Sequence, residues 1–320
     1  MTQVVEPAAT SPSVFSQADS WVYFNGQVVR YRDAHLGIMT HGLHYGTGCF
    51  EGIRAYWSQA AGKLYALKLP EHFERLRDSA RILRMTVPHT TDELCAISLD
   101  LLRRNNFRED VYIRPLVYKA DEIIGVRLNG LRDGFLVYTA PMGNYVETEN
   151  GLRCMVSSWR RVDDNAAPAR AKCTGIYINS ALAKTEALES GFDEAIVLTQ
   201  DGHVSEGSAE NLFIVRGGTF VTPPPSDNIL EGITRGALIH LVTEELGLPV
   251  LERPIDRSEL YVADEVFLCG TGAQVAPVIE IDRRTIGDGE PGPLTLRLQG
   301  LYFDACKGDN RKYLDWLTEV

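Results

Sequence analysis

Residues 166–175 have the sequence Ala-Ala-Pro-Ala-Arg-Ala-Lys-Cys-Thr-Gly, and a helical pattern begins directly after them. Lys172 in this stretch is one of only seven lysines in the chain, and small side chains precede it. Small neighbours leave room for a pocket with dry walls, where an amine loses its proton more easily and can attack an aldehyde. Most lysines are solvated surface charges, and this is the alternative interpretation of Lys172. We predict that Lys184 is such a solvated lysine.

Apolar periodicity predicts strands and helices on both sides of this stretch. Before residue 142 we expect a hairpin around Asn25-Gly26, helices over 71–85 and 91–107, and strands over 111–118 and 134–140. From residue 152 onward we expect helices over 176–190, 233–246 and 294–307, with strands over 152–157, 194–199, 211–215, 250–253 and 265–268. This mixture predicts an α/β (α+β) fold.

The length of 320 residues exceeds what one compact core usually holds, so we expect two domains with a cleft between them. Residues 1–20, rich in Ser, Thr and Pro, predict a flexible N-terminal tail. We expect a small α/β domain over 21–141, an interdomain linker over 142–152 and a large cofactor-binding domain over 153–320. A cleft between two domains is a frequent place for a small-molecule site.

The composition excludes several classes of partner. The net charge is −11 and the chain has no basic run, which argues against nucleic-acid binding. Six scattered cysteines without a C-x-x-C pair indicate reduced thiols and give no metal site. No apolar run approaches the roughly 20 residues of a membrane helix, and no signal peptide is evident. We therefore expect a cytoplasmic protein without metal, nucleic acid or membrane partners.

Three glycine-containing turns are further candidates for a site. Residues 204–211 (VSEGSAEN) form a polar turn from which one carboxylate is expected to point inward, unless the turn is an exposed hairpin. Residues 230–236 (LEGITRG) open a helix whose first amides suit a phosphate, although simple capping is the plainer alternative. Residues 269–273 (CGTGA) offer free amides to a phosphate or a carboxylate. Their spacing does not match the dinucleotide-binding G-x-G-x-x-G pattern.

Together these motifs resemble the branched-chain aminotransferases among the fold type IV pyridoxal-phosphate enzymes, from about Trp21 to the C-terminal end. The matching segments are 45–56 (YGTGCFEGIRAY), 72–76 (HFERL), 112–116 (YIRPL), 171–172 (AK), 205–207 (SEG), 232–235 (GITR) and 270–271 (GT). The resemblance implies the fold type IV architecture, in which two domains with mixed sheets hold pyridoxal 5'-phosphate in the cleft between them.

The resemblance also implies roles for individual residues toward the cofactor. Lys172 would form the Schiff base and later carry the Cα proton, Glu206 would pair with the pyridine nitrogen, and Tyr177 would bond the ring hydroxyl. Such a pairing makes the ring an acceptor of electrons. The remaining cofactor-binding residues implied, several of them around the phosphate, are Arg75, Leu230, Gly232, Ile233, Thr234, Gly270 and Thr271.

For the substrate, the resemblance implies that Tyr112 and the amides of Thr271 and Gly272 receive the α-carboxylate. Arg114 would orient that group or bind the side chain of glutamate. The other substrate-binding residues implied are Tyr45, Phe50, Gly52, Arg54, Tyr145 and Tyr177, with the aromatic ones lining an apolar pocket. Aromatic walls favour leucine, isoleucine and valine with modest selectivity, because one methylene is worth only about 1–3 kcal/mol.

The implied reaction is a ping-pong transfer. A branched-chain L-amino acid leaves its amino group on the cofactor and departs as a 2-oxo acid, and 2-oxoglutarate then departs as L-glutamate. The resemblance further implies at least a homodimer, in which loops of the small domain complete the neighbour's site.

Three alternatives remain open from the sequence. Other fold type IV enzymes, which act on D-amino acids, on (R)-amines or as aminodeoxychorismate lyases, would keep Lys172 and Glu206, although the Tyr112-Ile113-Arg114 segment disfavours them. A metal or thiol-hydrolase site at His41-x-x-His44 beside Cys49 lacks the usual i, i+4 spacing of a helical metal pair. A non-catalytic binding module would give no reason for an inward lysine and acid together.

Overall fold

The computed structural model describes residues 18–143 and 150–320. Most of the predicted N-terminal tail (residues 1–17) and the predicted site residue Tyr145 lie outside that part. The described residues form two β-sheets and six α-helices. The mixed α/β content that the sequence predicts is confirmed. No helix in these two ranges combines the length and apolar character that a membrane crossing requires.

The first sheet is antiparallel and is formed mainly by the N-terminal half of the chain. Its strands are β1 (Trp21–Phe24), β2 (Gln27–Arg30), β3 (Gly48–Phe50), β4 (Ile53–Ser58), β5 (Lys63–Leu67), β6 (Val111–Lys119) and β7 (Asp133–Pro141). They lie in the order β5-β4-β6-β7-β1-β2, with β3 beside β6. The helices of this half are α1 (His41–Tyr45), α2 (Leu69–Ile82) and α3 (Thr91–Asn105).

In the N-terminal half, local sequence determines the turn of the predicted hairpin and the start of the second predicted helix. Asn25 and Gly26 have φ angles of 46° and 96°, as a two-residue turn with left-handed conformations requires. At the start of α3, the Thr90 hydroxyl accepts a hydrogen bond from the Glu93 amide, while the Glu93 carboxylate accepts one from the Thr90 amide. Apolar side chains of α2 and α3 then pack with β4, β6 and β7 in one core.

The second sheet is mixed. Its strands are β8 (Leu152–Arg160), β9 (Glu194–Leu198), β10 (Val204–Gly207), β11 (Asn211–Arg216), β12 (Thr219–Thr222), β13 (Val250–Glu252), β14 (Glu265–Gly270), β15 (Gln274–Ile281) and β16 (Arg284–Thr285). They lie in the order β10-β9-β8-β15-β14-β11-β12-β13, with β16 beside β15. The pairs β8·β9, β8·β15 and β12·β13 are parallel. The helices are α4 (Tyr177–Glu189), α5 (Ile233–Leu241) and α6 (Pro293–Lys307).

Helix α6 and the C-terminal strand join the two sheets. Leu298 and Tyr302 of α6 share a buried core with Tyr56 and Leu67 of the first sheet and with Phe267 of the second. The last strand, β17 (Leu317–Glu319), pairs antiparallel with β5. The chain thus returns to the first sheet at its end, whereas the sequence assigned the whole of 153–320 to the second domain. The division into domains otherwise stays a prediction.

Several boundaries differ from the sequence prediction for identifiable reasons. The helix predicted over 71–85 begins at Leu69 with Pro70 in its first turn, and it ends at Ile82 because Arg84 adopts a positive φ of 54°. The polar turn predicted over 204–211 is shorter, because 204–207 is a strand against β9. Strands β5, β12, β15, β16 and β17 were not predicted.

Candidate functional site

A cavity of about 250 Å³ lies between the two sheets, and both contribute to its lining. All but two of the predicted site residues in the described part of the chain line it. These are Phe50, Gly52, Arg75, Tyr112, Arg114, Lys172, Tyr177, Glu206, Leu230, Gly232, Ile233, Thr234, Gly270, Thr271 and Gly272. The sequence motifs, scattered over more than two hundred residues, therefore meet at one place.

Lys172 enters the cavity from a segment that is hydrogen-bonded to the first sheet. Its carbonyl accepts from the Phe50 amide at 3.0 Å, and its own amide donates to the Ser79 hydroxyl at 3.2 Å. The Nζ atom lies 5.3 Å from the ring centre of Phe50 and 5.6 Å from that of Tyr177. The amine is therefore half-buried between two aromatic rings at the cavity wall.

The competing lysine, Lys184, occupies a different environment from the one predicted. It was expected to be solvated, but its Nζ atom lies 2.6 Å from the Glu194 carboxylate and 2.6 Å from the Asp193 carbonyl. Its side chain is partly buried against β9. The reason is that the buried Glu194 carboxylate on β9 pairs with this lysine, which the residue spacing along the helix does not reveal.

Glu206, on β10, presents a buried carboxylate to the cavity. One oxygen lies 2.8 Å from Nη2 of Arg161, and the other accepts from the Asn211 side-chain amide and the Leu230 main-chain amide, both at 3.1 Å. Burial raises the pKa of Glu206, and Arg161 opposes that rise. The contacts on both oxygens fix the orientation of the carboxylate.

Arg161 is a residue that the sequence analysis did not identify. It follows β8, its Nε donates to the Asn228 carbonyl at 3.1 Å, and its side chain is buried at the cavity. Nothing in the local sequence distinguishes it from other arginines, because its partner Glu206 is 45 positions away. Other cavity residues that lie outside the sequence motifs are Met142, Ile176 and Ser180.

The start of helix α5 forms one end of the cavity. Gly232 precedes the helix, and a side chain at this position would crowd the Asn211 side-chain oxygen, so glycine leaves room for Asn211 there. Ile233 and Thr234 follow with amides of the first helical turn, which have no partners within a helix and carry positive partial charge. Arg75 approaches the same end and donates to the Glu231 carbonyl at 2.8 Å. This end suits an anion such as a phosphate.

Arg75 is held by a fully buried carboxylate. Glu51 accepts from Nε and Nη2 of Arg75 at 2.7 and 2.8 Å, and it lies 2.8 Å from Nδ1 of His72. Burial by itself raises the pKa of Glu51, but Arg75 and His72 outweigh burial and hold that pKa well below its usual range. Burial lowers the pKa of His72 despite its bond to Glu51. Glu51 is therefore an ionised partner that fixes the guanidinium.

Tyr112 and Arg114, on β6 of the first sheet, also line the cavity. Nε and Nη2 of Arg114 donate to the Tyr112 hydroxyl at 3.2 and 2.6 Å, and the guanidinium lies 4.4 Å from the ring centre of Phe50. A side chain at Gly52 would collide with the Tyr112 hydroxyl, so glycine leaves space for this arrangement. Arginine and tyrosine donors at this side suit a carboxylate.

Two predicted substrate residues lie away from the cavity. Tyr45 ends α1 on the surface, where its hydroxyl accepts from the Gly125 amide at 3.1 Å. Arg54 is buried behind the cavity wall, where it bonds the carbonyls of Met142 and Gly143 rather than facing the space. Tyr145, also predicted to contact the substrate, falls outside the described residues.

The alternative metal or thiol-hydrolase site around His41, His44 and Cys49 offers neither a pair of free histidine nitrogens for a metal nor a reactive thiol. Nδ1 and Nε2 of His41 contact the Thr47 hydroxyl and the Gly125 carbonyl, and Nε2 of His44 contacts the Ile38 carbonyl. Burial raises the pKa of the Cys49 thiol far above its usual value, so the thiol stays protonated and is a poor nucleophile.

Comparison with known proteins agrees with the geometry. The family profile described as "Amino-transferase class IV" matches residues 48–281. The probable branched-chain-amino-acid aminotransferase of Aquifex aeolicus (strain VF5) is 51% identical over 300 residues, covering 94% of this chain and 96% of that protein.

Two solved structures are also similar. The branched-chain aminotransferase from Thermoproteus uzoniensis with norvaline has a TM-score of 0.90 and 44% identity, covering 94% of this chain and 99% of that one. The branched-chain amino acid aminotransferase from Thermobaculum terrenum, in its PLP-form (holo-form), has a TM-score of 0.90 and 37% identity, covering 95% of this chain and 99% of that one.

The first prediction concerns Glu51. Glu51→Gln leaves the Arg75 charge buried without its counter-ion, which we expect to cost about 3–5 kcal/mol of the free energy of unfolding at pH 7. Because the pKa of Glu51 is lowered in the folded state, its ionised carboxylate stabilises the fold above its ordinary pKa of 4.5. This stability is lost progressively as the pH falls below 4.5. The loss measured by urea unfolding should therefore shrink from pH 7 to pH 4.

The matched control is Glu71→Gln, on the helix α2 that carries Arg75. Glu71 pairs with Lys68 at 2.9 Å, but its side chain is 43% exposed. We expect this substitution to change the free energy of unfolding by less than about 1 kcal/mol at either pH. Equal losses in the two variants would show that Glu51 is not a special anchor of Arg75.

The second prediction concerns Glu210, a buried acid at the cavity. Burial, followed by repulsion from Glu194, raises the pKa of Glu210 from 4.5 to about 8. Between these values the folded state holds a proton that the unfolded state has lost, so this group lowers stability as the pH rises. Glu210→Gln should raise the melting temperature relative to wild type more at pH 8 than at pH 5, measured by calorimetry without added ligand. Glu290→Gln, at an exposed carboxyl, corrects for net charge, and the same pH trend in both would contradict the assignment.

Proposed function

The chain belongs to the class IV aminotransferases, and on this premise we propose that it transfers the amino group of leucine, isoleucine or valine to 2-oxoglutarate with pyridoxal 5'-phosphate as its cofactor. The products would be the branched 2-oxo acids and L-glutamate. One observation carries the proposal: Lys172, Glu206 and the start of α5 line a single cavity.

The residues present fit the cofactor. An amine, a buried carboxylate and a helix N-terminus with a nearby arginine are the groups that its aldehyde, ring nitrogen and phosphate each require. Lys172, Glu206, Ile233 and Arg75 supply them around one space. Glycine at 232 adds no side chain that would crowd Asn211 beside the helix start. A similar structure supports the same choice, since the Thermobaculum terrenum enzyme was solved in its PLP-form.

When bound, pyridoxal 5'-phosphate provides a ring that accepts the electron pair released when a proton leaves the substrate's Cα. Glu206 would hold a proton on the ring nitrogen, because a fixed negative charge in a buried place stabilises the protonated nitrogen beside it. Arg161, Asn211 and the Leu230 amide keep the Glu206 oxygens in place for this contact.

Lys172 would act twice. At rest its Nζ would hold the cofactor through the aldehyde group. Once free, the same amine would take up the proton that leaves the substrate's Cα and hold it for return within the cavity. The aromatic rings of Phe50 and Tyr177 beside Nζ exclude water from this transfer. Tyr177 is also the group that we propose for the ring hydroxyl.

The substrate would lie against the first sheet. We assign the α-carboxylate to the Tyr112 hydroxyl with the amides of Thr271 and Gly272, and the second carboxylate of 2-oxoglutarate to Arg114. The ring of Phe50 and the side chain of Met142 add apolar surface to the same cavity. The relative from Thermoproteus uzoniensis, solved with norvaline, supports an aliphatic amino acid as the substrate.

We further propose that the protein is a homodimer. Ile38, Leu43, Ile124 and Val126 are 84%, 68%, 86% and 80% exposed. Their two segments form one surface, because the His41 amide bonds the carbonyl of residue 121 and the His41 ring contacts that of residue 125. An exposed apolar patch of this kind marks an interface. Tyr45, which lies on the same surface, would then complete the neighbour's site.

The third prediction tests the reaction. With pyridoxal 5'-phosphate and L-leucine, the purified protein should convert the visible absorption band of the bound cofactor and release a 2-oxo acid. Lys172→Ala should slow this half-reaction at least about a hundredfold, because a positioned general base contributes roughly 10²–10⁴. Lys312→Ala, at an exposed lysine that pairs with Glu245, should react like wild type.

Two outcomes would contradict different parts of this proposal. If L-leucine leaves the absorption unchanged while a D-amino acid or a primary amine converts it, the substrate class is wrong and another fold type IV activity is correct. If Lys172→Ala reacts at the wild-type rate, the covalent role of Lys172 is wrong.

The fourth prediction tests the dimer. Light scattering should give twice the chain mass of 35.6 kDa for the wild type. Leu43→Asp combined with Ile124→Asp should shift the mass toward the monomer, because two charges cannot be buried unpaired in an apolar interface. Leu251→Asp, at an apolar side chain exposed elsewhere on β13, is the control. A wild-type monomer with full activity would overturn the proposal.

A further inference from the structure

The guanidinium of Arg54 makes contacts that the proposed reaction does not use. Arg54 lies on β4 and is 1% exposed. Its Nη2 donates to the carbonyls of Met142 and Gly143, both at 2.8 Å, and its Nη1 donates to the Gly272 carbonyl at 3.5 Å. One buried side chain thus binds three main-chain carbonyls from two distant parts of the sequence.

These carbonyls belong to opposite walls of the cavity. Met142 and Gly143 follow β7 of the first sheet, and Met142 lines the cavity. Gly272 lies in the turn between β14 and β15 of the second sheet, and it lines the cavity with Thr271. Arg54 therefore spans the distance between the two walls from behind.

The Met142 and Gly143 carbonyls at 2.8 Å are closer partners of Arg54 than any carboxylate. Asp110 is the nearest acid, but its oxygen is 3.5 Å from Nη2 and its side chain is 28% exposed. Asp110 contributes mainly by holding neighbouring backbone: its side chain accepts from the Trp57 amide and its carbonyl accepts from the Met142 amide, both at 2.9 Å. A simple ion pair would not need the three carbonyls.

An arginine suits this position better than a lysine. The planar guanidinium directs its N–H groups in fixed, separate directions, whereas an ammonium is a compact point charge that cannot reach both walls. Among the described residues, Nε of Arg54 is a buried donor without a hydrogen-bond partner. A buried unsatisfied donor costs about 1–3 kcal/mol, so the arrangement is not optimised for stability alone.

We propose that Arg54 is a positioning residue that ties the 142–143 segment to the 271–272 turn and so sets the width of the substrate side of the cavity. Its effect on substrate rests on the proposed function. Arg54 acts through the backbone of these two segments and touches neither the substrate nor the cofactor. It was expected to bind the substrate directly, and its burial behind the wall gives it this indirect role instead.

The test compares Arg54→Met, Arg54→Lys and a matched control, Lys119→Met. Lys119 is also a buried cation of the first sheet that bonds one carboxylate and one carbonyl, those of Asp133 and Arg84, but it lies away from the cavity. We expect Arg54→Met to raise the KM for L-leucine and for 2-oxoglutarate about tenfold to a hundredfold, with kcat changed less than about fivefold. Misplaced walls weaken ground-state and transition-state binding alike, which appears in KM.

The controls separate positioning from stability. Arg54→Lys should give an intermediate KM, and Lys119→Met should lower the melting temperature without changing KM. The visible absorption of bound cofactor should be the same in all variants, because Lys172 and Glu206 are untouched. An unchanged KM in Arg54→Met would overturn the proposal, and Arg54→Lys carries the test if the methionine variant does not fold.

Hydrogen exchange measured by mass spectrometry provides a readout that does not depend on activity. Amides near 142–143 and 270–274 should exchange faster in the Arg54 variants than in wild type, while Lys119→Met leaves both segments protected. If wild type shows no transamination of branched-chain amino acids, the proposed function fails, but this exchange pattern still decides the role of Arg54. Unchanged exchange in both segments would overturn it.

Discussion

The site depends on one short antiparallel contact between the two halves of the chain. The Phe50 amide donates to the Lys172 carbonyl at 3.0 Å, and Cys49 pairs with Cys173 beside it. The contact continues to Gly46 and Gly175, where a side chain on Gly46 would lie 2.7 Å from the Cα atom of Gly175. Two glycines thus allow the backbones to approach, and this approach places the lysine amine against the aromatic ring of the first sheet.

Around that contact, the buried charges are arranged in compensated pairs. Glu51 neutralises Arg75 near the start of α5, and Arg161 pairs with Glu206 in the same cavity. A buried charge without a partner is costly, and a pair with fixed hydrogen bonds keeps its geometry when a ligand enters. The partners of Arg75 and Glu206 therefore matter as much as the two residues themselves, since they decide which atoms remain free to face the cavity.

The sequence predicted the parts of the fold and of the site that have a local signature. Lys172 stands before a visible helix start, and in the structure it lines the cavity. Helix α3 forms over most of the residues whose apolar pattern indicates a helix. Arg161 and Arg54 have no such signature, because their partners lie 45 and up to 218 positions away. The family resemblance placed Arg54 near the substrate. It could not distinguish a residue that lines the cavity from one that supports the lining from behind. Strand β17 was missed for a similar reason, since these three residues form a strand only where β5 offers an edge.

Under the proposed function, one cavity has to accept both an aliphatic side chain and the second carboxylate of 2-oxoglutarate. The guanidinium of Arg114 lies 4.4 Å from the Phe50 ring centre and donates to the Tyr112 hydroxyl. When the substrate is aliphatic, these contacts stabilise the positive charge of Arg114, because an aromatic face and a hydroxyl oxygen are both suitable partners for a guanidinium. When 2-oxoglutarate enters, its carboxylate is a stronger partner and can replace them. An arginine with replaceable partners therefore permits the site to serve both half-reactions without a second pocket.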